Sequence, residues 1–430
     1  MNVIALRKLA KPFASLMLVT LFGSRPIRAA DLDFYSALDH MIAKNQNLAS
    51  EESLNQSELQ SLDADRKSFL PTLRASLIHA RDHAVGTEAY PKNTYWQAEM
   101  GLNLYRFGQD SARYRLADRG DTRYASARLR QILDTERIAA EKLLAYIFYS
   151  QDRAVLEKLR RVRERLLAVA RNQYGKGLLP DQEVKKVDID LRSLALQIKQ
   201  ADVDVEQARL ELSRFLAEDQ VRVEWPFEPG RAPLSVVGNN HEHPLFTEAK
   251  DILAMEKERE KILWAAQYPS LDAVAVANRS LSGDGFNRGQ TEILLTLSVP
   301  LFDQGLSRSL YRSQTARSTA ASQQLEWIRQ NLEVQKATAA VALKENLSNT
   351  VVYEELISLA RSLYQNSLTR FERGLITVND LGVDEARLYG AERDRVQSAY
   401  QLHLSWVSAC QSHGLRLDAC RNLTRPGAAS

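Results

Sequence analysis

The chain carries one pattern twice. Gly108, Tyr174, Gly177 and Leu178 recur as Gly305, Phe371, Gly374 and Leu375, all displaced by about 197 residues, and a period that long marks a duplicated architecture. Each half opens helically, meets a proline, crosses two short apolar segments around a polar loop, and enters a very long stretch broken by one Gly-Leu turn. Any fold this chain adopts has to be built from two such units.

Proline removes a backbone donor and clashes with the preceding helical turn, so its positions show where helices cannot run. Pro71 and Pro269 open the first extended segment of each half, Pro300 closes the second segment of the later half, and Pro180 sits at a helical turn. Pro226, Pro229, Pro233 and Pro244 fill the segment joining the halves. Between Pro91 and Pro180, and between Pro300 and Pro426, there is none. Those stretches are rich in Ala, Leu, Gln, Glu, Lys and Arg, with apolar residues at helical spacing: Ile138, Leu143, Leu144, Ile147, Val155, Leu159, Val162, Leu166 and Val169. Unbroken from Gly108 to Tyr174, such a helix extends roughly 100 Å, and the segment from Gly305 to Phe371 matches it. Lengths of this kind imply a coiled-coil-like bundle or a helical cylinder. The basic run Arg160, Arg161, Arg163 and Arg165 is interleaved with Glu157 and Glu164 and reads as a solvated helix face, not a nucleic-acid stripe.

Trp96, Ala98, Met100, Leu102 and Leu104 alternate with Gln97, Glu99, Gly101 and Asn103, the two-residue period of a strand wet on one face. Ile293, Leu295, Leu297 and Val299 repeat the pattern against Glu292, Leu294, Thr296 and Ser298. Shorter partners, from Thr72 to about His79 and from Ser270 to about Asn278, complete two hairpins whose strand length suits a tilted membrane crossing. Phe69, Tyr105, Tyr268 and Phe302 mark one end, and Tyr90, Tyr95 and Trp96 the other, as an interfacial girdle does. Arg81 to Asn93 and Ser280 to Gln290 are the expected outer loops, with Ser282-Gly283-Asp284-Gly285 as a turn. Four strands cannot close a barrel in lipid, because an open edge leaves backbone groups unpaired. Three copies would supply twelve.

Arg7, Lys8 and Lys11 followed by the apolar run Phe13 to Phe22 read as an export signal ending near Ala30. Removing its five basic residues takes the formal charge from +3 to about −2, so the basic balance does not argue for nucleic acid. Beyond it, no run of about 20 apolar residues marks a transmembrane helix. The two cysteines, Cys410 and Cys420, could pair after export; two reduced thiols at a helix end are the alternative. His241 and His243 flank Glu242 in the joining segment without a third metal ligand. Gly283, Gly285 and Gly289 lack phosphate-loop spacing, and no serine elbow appears. No cofactor, metal or catalysis is expected.

These residues resemble the TolC-like outer-membrane efflux proteins, trimeric channel-tunnels of drug efflux and type I secretion systems. The most specific marks are Pro300-Leu301-Phe302-Asp303-Gln304-Gly305 and Phe371-Glu372-Arg373-Gly374-Leu375 followed by Asn379-Asp380-Leu381. Weaker versions are Leu104-Tyr105-Arg106-Phe107-Gly108 and Tyr174-Gly175-Lys176-Gly177-Leu178 with Glu183-Val184. The resemblance implies an α+β membrane protein: long antiparallel helices forming a trimeric α-barrel, and four transmembrane strands per protomer in a twelve-stranded β-barrel. Its parts would be a signal peptide (1–30), a first repeat (31–217; hairpin about 72–106, tip 175–184), a joining segment (218–245), a second repeat (246–409; hairpin about 270–302, tip 372–381) and a tail (410–430).

In that frame Gly177, Leu178, Gly374 and Leu375 would dock a periplasmic adaptor, since a left-handed glycine ends the helix and the next leucine offers an apolar knob. Phe371 and Ile376 replace the hydroxyl and arginine with which relatives latch the pore. Glu183, Asp380 and Asp384 keep acids there, and Lys176 and Arg373 are candidate gate cations for pairing across chains. The expected function is a passive exit duct in the outer membrane, its helices in the periplasm. It would serve an inner-membrane pump of RND, ABC or MFS type through the adaptor, touching lipid but no nucleic acid. A soluble periplasmic coiled-coil scaffold is the alternative.

Overall fold

The computed structural model describes residues 33–80, 93–215, 223–228, 242–280 and 290–423. The expected signal peptide, both outer loops, Tyr90, the turn at 282–285 and His241 lie outside them. Twelve elements form among the described residues. They are α1 (Phe34–Ala43), α2 (Gln46–Arg66), β1 (Thr72–Ala80), β2 (Asn93–Tyr105), α3 (Gln109–Gly175), α4 (Asp181–Ser213), α5 (Pro244–Ala265), β3 (Ser270–Ser280), β4 (Gln290–Ser298), α6 (Leu306–Glu372), α7 (Val378–Ser412) and α8 (Leu417–Leu423).

The duplication is visible in the two longest helices, α3 and α6, each 67 residues and each unbroken. Both begin at the same device. Phe107 and Gly108 lie at φ 48° and 81°, and Gln304 and Gly305 at φ 55° and 82°. Two consecutive left-handed residues make a tight mirror-image turn that swings the chain from strand to helix. The turns close through Gln109 N–H to Arg106 O at 2.9 Å and Leu306 N–H to Asp303 O at 3.1 Å. Their chemistry has diverged: the Asp303 carboxylate accepts from the Gly305 and Ser307 amides at 2.9 and 2.8 Å. Arg106, at the equivalent place, donates to Asn103 at 2.6 Å and to Asp272 on β3 at 3.3 Å.

The strands pair antiparallel in the order β1-β2-β3-β4, joining the two halves through β2 and β3. At the far ends, α3 turns into α4 and α6 into α7, giving two long helical hairpins. About midway along α3, a core gathers Phe34, Leu38 and Met41 of α1, Leu143, Leu144 and Ile147 of α3, Leu343 of α6, Leu402 and Trp406 of α7, and Leu417 of α8. Side chains this size contribute roughly 1.5–3 kcal/mol each when fully buried, and here they draw both repeats and the tail into one waist. Trp225 and Phe227 of the joining segment pack onto that waist against His403, with ring centroids 4.7 and 4.4 Å away. Among the helical residues expected to face inward, Leu143, Leu144, Ile147, Val155 and Leu166 are buried, but Ile138 is exposed. It borders a groove between α3 and α4 beside Tyr149 and Ala208. No helix among the described residues is long and apolar enough to cross a membrane.

Candidate functional site: sheet face and helix tips

The strand register sorts the side chains of the sheet. Ala75 stands opposite Ala98, Ala98 opposite Ala277, and Ala277 opposite Thr291. Alternation along each strand therefore puts Leu73, Leu77, Trp96, Met100, Leu102, Leu271, Ile293, Leu295 and Leu297 on one face. Arg74, Gln97, Glu99, Asn103, Asp272, Glu292 and Thr296 fall on the other. The apolar side chains are not covered: Leu73, Leu77, Ile293, Leu295 and Leu297 are all more than three-fifths exposed. A monomer in water would present a large greasy sheet, and an apolar patch of that extent marks a membrane or partner surface. Among the described residues, no strand lies beside the outer edges of β1 and β4. Below the sheet, Trp264 packs at a tilt against Tyr268 and Tyr268 stacks on Phe107, with centroids 4.5 and 4.9 Å apart.

At the opposite end the two tips are built alike. Leu178 N–H donates to Gln173 O and Leu375 N–H to Arg370 O, both at 2.9 Å. Gly177 and Gly374 donate three residues back, also at 2.9 Å. With the glycines at φ 72° and 70°, this is a Schellman ending, which satisfies helix-terminal carbonyls and requires a left-handed residue. The leucine that follows usually folds back against the helix. Here Leu178 is 73% exposed and Leu375 64%, so both tips offer an uncovered apolar knob.

The remaining tip residues divide into engaged and free. Asp380 accepts from the Thr377 amide at 3.0 Å and hydroxyl at 2.8 Å, and its own amide donates to Thr377 Oγ1, a capping box opening α7. Those bonds hold the Asp380 carboxyl below its ordinary range. Asp384 accepts from Ser367 at 2.5 Å and Arg387 at 3.0 Å, and Glu183 accepts from Lys186 at 3.0 Å. Lys176 and Arg373 are exposed and pair with none of these acids within the chain. Phe371 is buried among Leu166, Leu167, Val187, Val378 and Leu381, with Ile376 at the edge of the cluster. The side chain standing where a latch hydroxyl was expected holds the ends of both hairpins together.

Three features escaped sequence reasoning. Arg163, grouped with its basic neighbours as a solvated face, donates from Nε to Glu385 at 2.8 Å and from Nη1 to Asp190 O at 3.2 Å, tying α3 to α7 and α4. Its neighbour Arg160 is ion-paired on its own helix with Glu157 and Glu164. Two exposed heptad stripes also went unnoticed: Ile189, Leu196, Val203 and Leu210 on α4, and Trp327, Val334 and Val341 on α6, each more than half exposed. Their seven-residue spacing was the available signal. His243 caps α5, accepting from Leu245 N–H at 3.1 Å, while its other ring nitrogen lies 3.0 Å from Gln411 O. Cys410 and Cys420 are joined in a disulfide, with Cα atoms 6.0 Å apart.

The sequence matches a family described as outer membrane efflux protein over residues 250–414. No curated protein matches it in sequence. Among solved structures, its fold is similar to that of CusC (TM-score 0.77, 14% identity), covering 89% of this chain and 92% of that one. It is also similar to the outer membrane channel CmeC of Campylobacter jejuni (0.75, 14%, 89% and 85%). The outer membrane protein VceC of Vibrio cholerae is matched as well (0.75, 15%, 89% and 96%). By sequence over residues 250–414 the chain is similar to the outer membrane efflux proteins, and over nearly all its length it shares the fold of solved outer membrane channels.

Proposed function

We propose that three copies of this chain close a twelve-stranded barrel in the outer membrane and a helical tunnel beneath it. This assembly would be a passive duct through which an inner-membrane pump expels its cargo. One observation carries the reading: a four-stranded sheet with one exposed apolar face, a second face that holds its charged residues, and two edges that no described strand pairs. Strand direction alternates from β1 to β4, so β4 of one copy meets β1 of the next antiparallel, and the edges vanish only on closure. The number three rests on the family. In such a ring the apolar face meets lipid and the polar face, with Arg74, Glu99 and Glu292, lines water.

The heptad stripes on α4 and α6 support the same assembly, because apolar residues at that spacing seek a neighbouring helix and no described helix covers them. Leu178 and Leu375 are the docking knobs for a periplasmic adaptor. Lys176 and Arg373, without an ion pair among the described residues, are the tip cations available to acids of a neighbouring copy, and so the gate candidates. A soluble scaffold would have to leave the apolar sheet face in water. Fractionation of cells producing the full chain tests the reading: recovery in the outer membrane as a cross-linkable trimer is expected, and recovery in the soluble periplasm would overturn it.

A further inference from the structure

We infer that the Cys410–Cys420 bridge is a maturation lock for the waist. Closing it seats Arg416 and the Leu417 amide on the buried carboxylate of Glu136, so oxidation of these two thiols after export is the step that fixes the tail to the waist. The inference rests on the outer-membrane location but not on channel activity.

Glu136 lies in the middle of α3 and is 1% exposed. Among the described residues its donors from distant sequence come from one place, the segment inside the disulfide ring. Leu417 N–H donates to Oε2 at 3.2 Å, and Arg416 reaches Oε1 from Nε and Nη2 at 3.4 Å while also donating to Asp39 of α1 at 3.1 Å. Arg416 therefore links α1, α3 and the tail. A carboxylate taken out of water needs such partners, and one left without them is strongly destabilising.

The segment has little else to hold it there. α8 is seven residues long, far below the length at which a helix persists alone. Closing a ring of about ten residues raises the docked fraction of such a tail on the order of a hundredfold. The ring also shapes the approach. Gly414 at φ 69° ends α7, and a Cβ there would stand 2.7 Å from Pro244 Cδ and 3.3 Å from His243 Cα, at the start of α5. The turn is thus wedged against the second repeat while Arg416 reaches the first.

The order of events follows from burial. Cys410 is 0% and Cys420 1% exposed, within the core formed by Phe34, Leu143 and Trp406. A reagent cannot reach the sulphurs once α8 is docked, so exchange precedes docking. In that exchange the two thiols give up two protons and two electrons to a disulfide oxidant of the exported compartment. One S–S bond forms in this chain as the oxidant's own S–S bond is reduced to two thiols.

Hydrogen exchange on the purified full chain tests this at residues 413–420, with the tip at 371–381 as internal reference. Cys410→Ala/Cys420→Ala is expected to speed exchange at 413–420 on the order of a hundredfold and to leave the tip unchanged. Arg416→Ala is expected to speed it in the bridged chain but to add nothing in the unbridged one. Unchanged tail exchange in the unbridged chain, or additive effects, would overturn the inference. If the unbridged chain does not accumulate, Glu136→Gln placed in it is expected to restore accumulation, because it removes the charge the seated tail had answered. Failure to restore would overturn the link between bridge and carboxylate.

Discussion

Arg163 Nε lies 2.8 Å from Glu385 Oε1, and through that contact the first helix of one hairpin grips the start of the second helix of the other. Glu385 is 2% exposed in its side chain and Arg163 20%. A second pair, Arg393 with Asp152 at 2.6 and 2.9 Å, repeats the link higher on the same two helices. The hairpins are therefore held by charge as well as by the apolar clusters around Val155 and Leu388.

Arg163→Ala should destabilise the protein by about 3 kcal/mol, because it strands a buried carboxylate. Replacing both partners by Arg163→Met and Glu385→Leu should bring stability back to within about 1 kcal/mol of the parent. Denaturant titration of the detergent-extracted protein measures both; a double variant as weak as the single would show the contact to be incidental.

Two buried groups at the waist pull stability in opposite directions as pH changes. Burial pushes the Glu136 carboxyl up to about 7 against the opposing pull of Arg416 and the Leu417 amide. Its favourable contribution is complete below its ordinary 4.5 and is lost as pH rises through 7. Burial pushes the His403 ring down to about 4, although carbonyls of Ala399 and Phe227 face its two nitrogens at 2.6 and 3.0 Å. Its contribution is complete above 6.5 and is lost as pH falls toward 4. Between pH 7 and 5 the two slopes oppose one another. Glu136→Gln should make the protein lose about 2 kcal/mol more than the parent on acidification over that window, and His403→Gln should make it gain. Thermal melts at pH 5 and 7.5 decide; three parallel profiles would remove both groups from the account.

Much of this architecture was written in local pattern. Alternation of Leu295 and Leu297 with Thr296 and Ser298 gave a strand with a wet face, and the proline-free run from Gly305 to Phe371 gave a helix. Repetition of Gly177-Leu178 as Gly374-Leu375 gave two equivalent tips. These are legible because a helix or strand is decided by residues within a few positions of one another. Arg163 with Glu385 and Glu136 with Arg416 are more than 200 residues apart in sequence and follow no period. Nothing local separates Arg163 from Arg160, since only the packing of α7 against α3 gives one of them a buried partner. Asp380 shows the converse. Thr377, three residues before it, is a local capping signal, and the bonds it forms with Asp380 are the ones that spacing dictates.

The two faces of the sheet should respond oppositely to charge. In the proposed barrel, Leu295→Arg would place a cation on the lipid side and should cost about 2–4 kcal/mol if it lies near the bilayer midplane. Thr296→Arg, one residue on, should be tolerated. Yield of heat-resistant oligomer in the outer membrane reads the difference, and equal yields would mean that neither face meets lipid.

At the tips, Leu178→Ser and Leu375→Ser remove apolar surface that already faces solvent, so stability should stay within about 0.5 kcal/mol. Cross-linking to the adaptor should fall sharply in the pair. Undiminished cross-linking would place docking elsewhere on the hairpins.

The most direct test of the whole account is the mass of the mature protein extracted from outer membranes, measured by light scattering, followed by planar-bilayer recording of the same sample. A trimer that inserts and conducts is the predicted result. A monomer or dimer without conductance would contradict the channel.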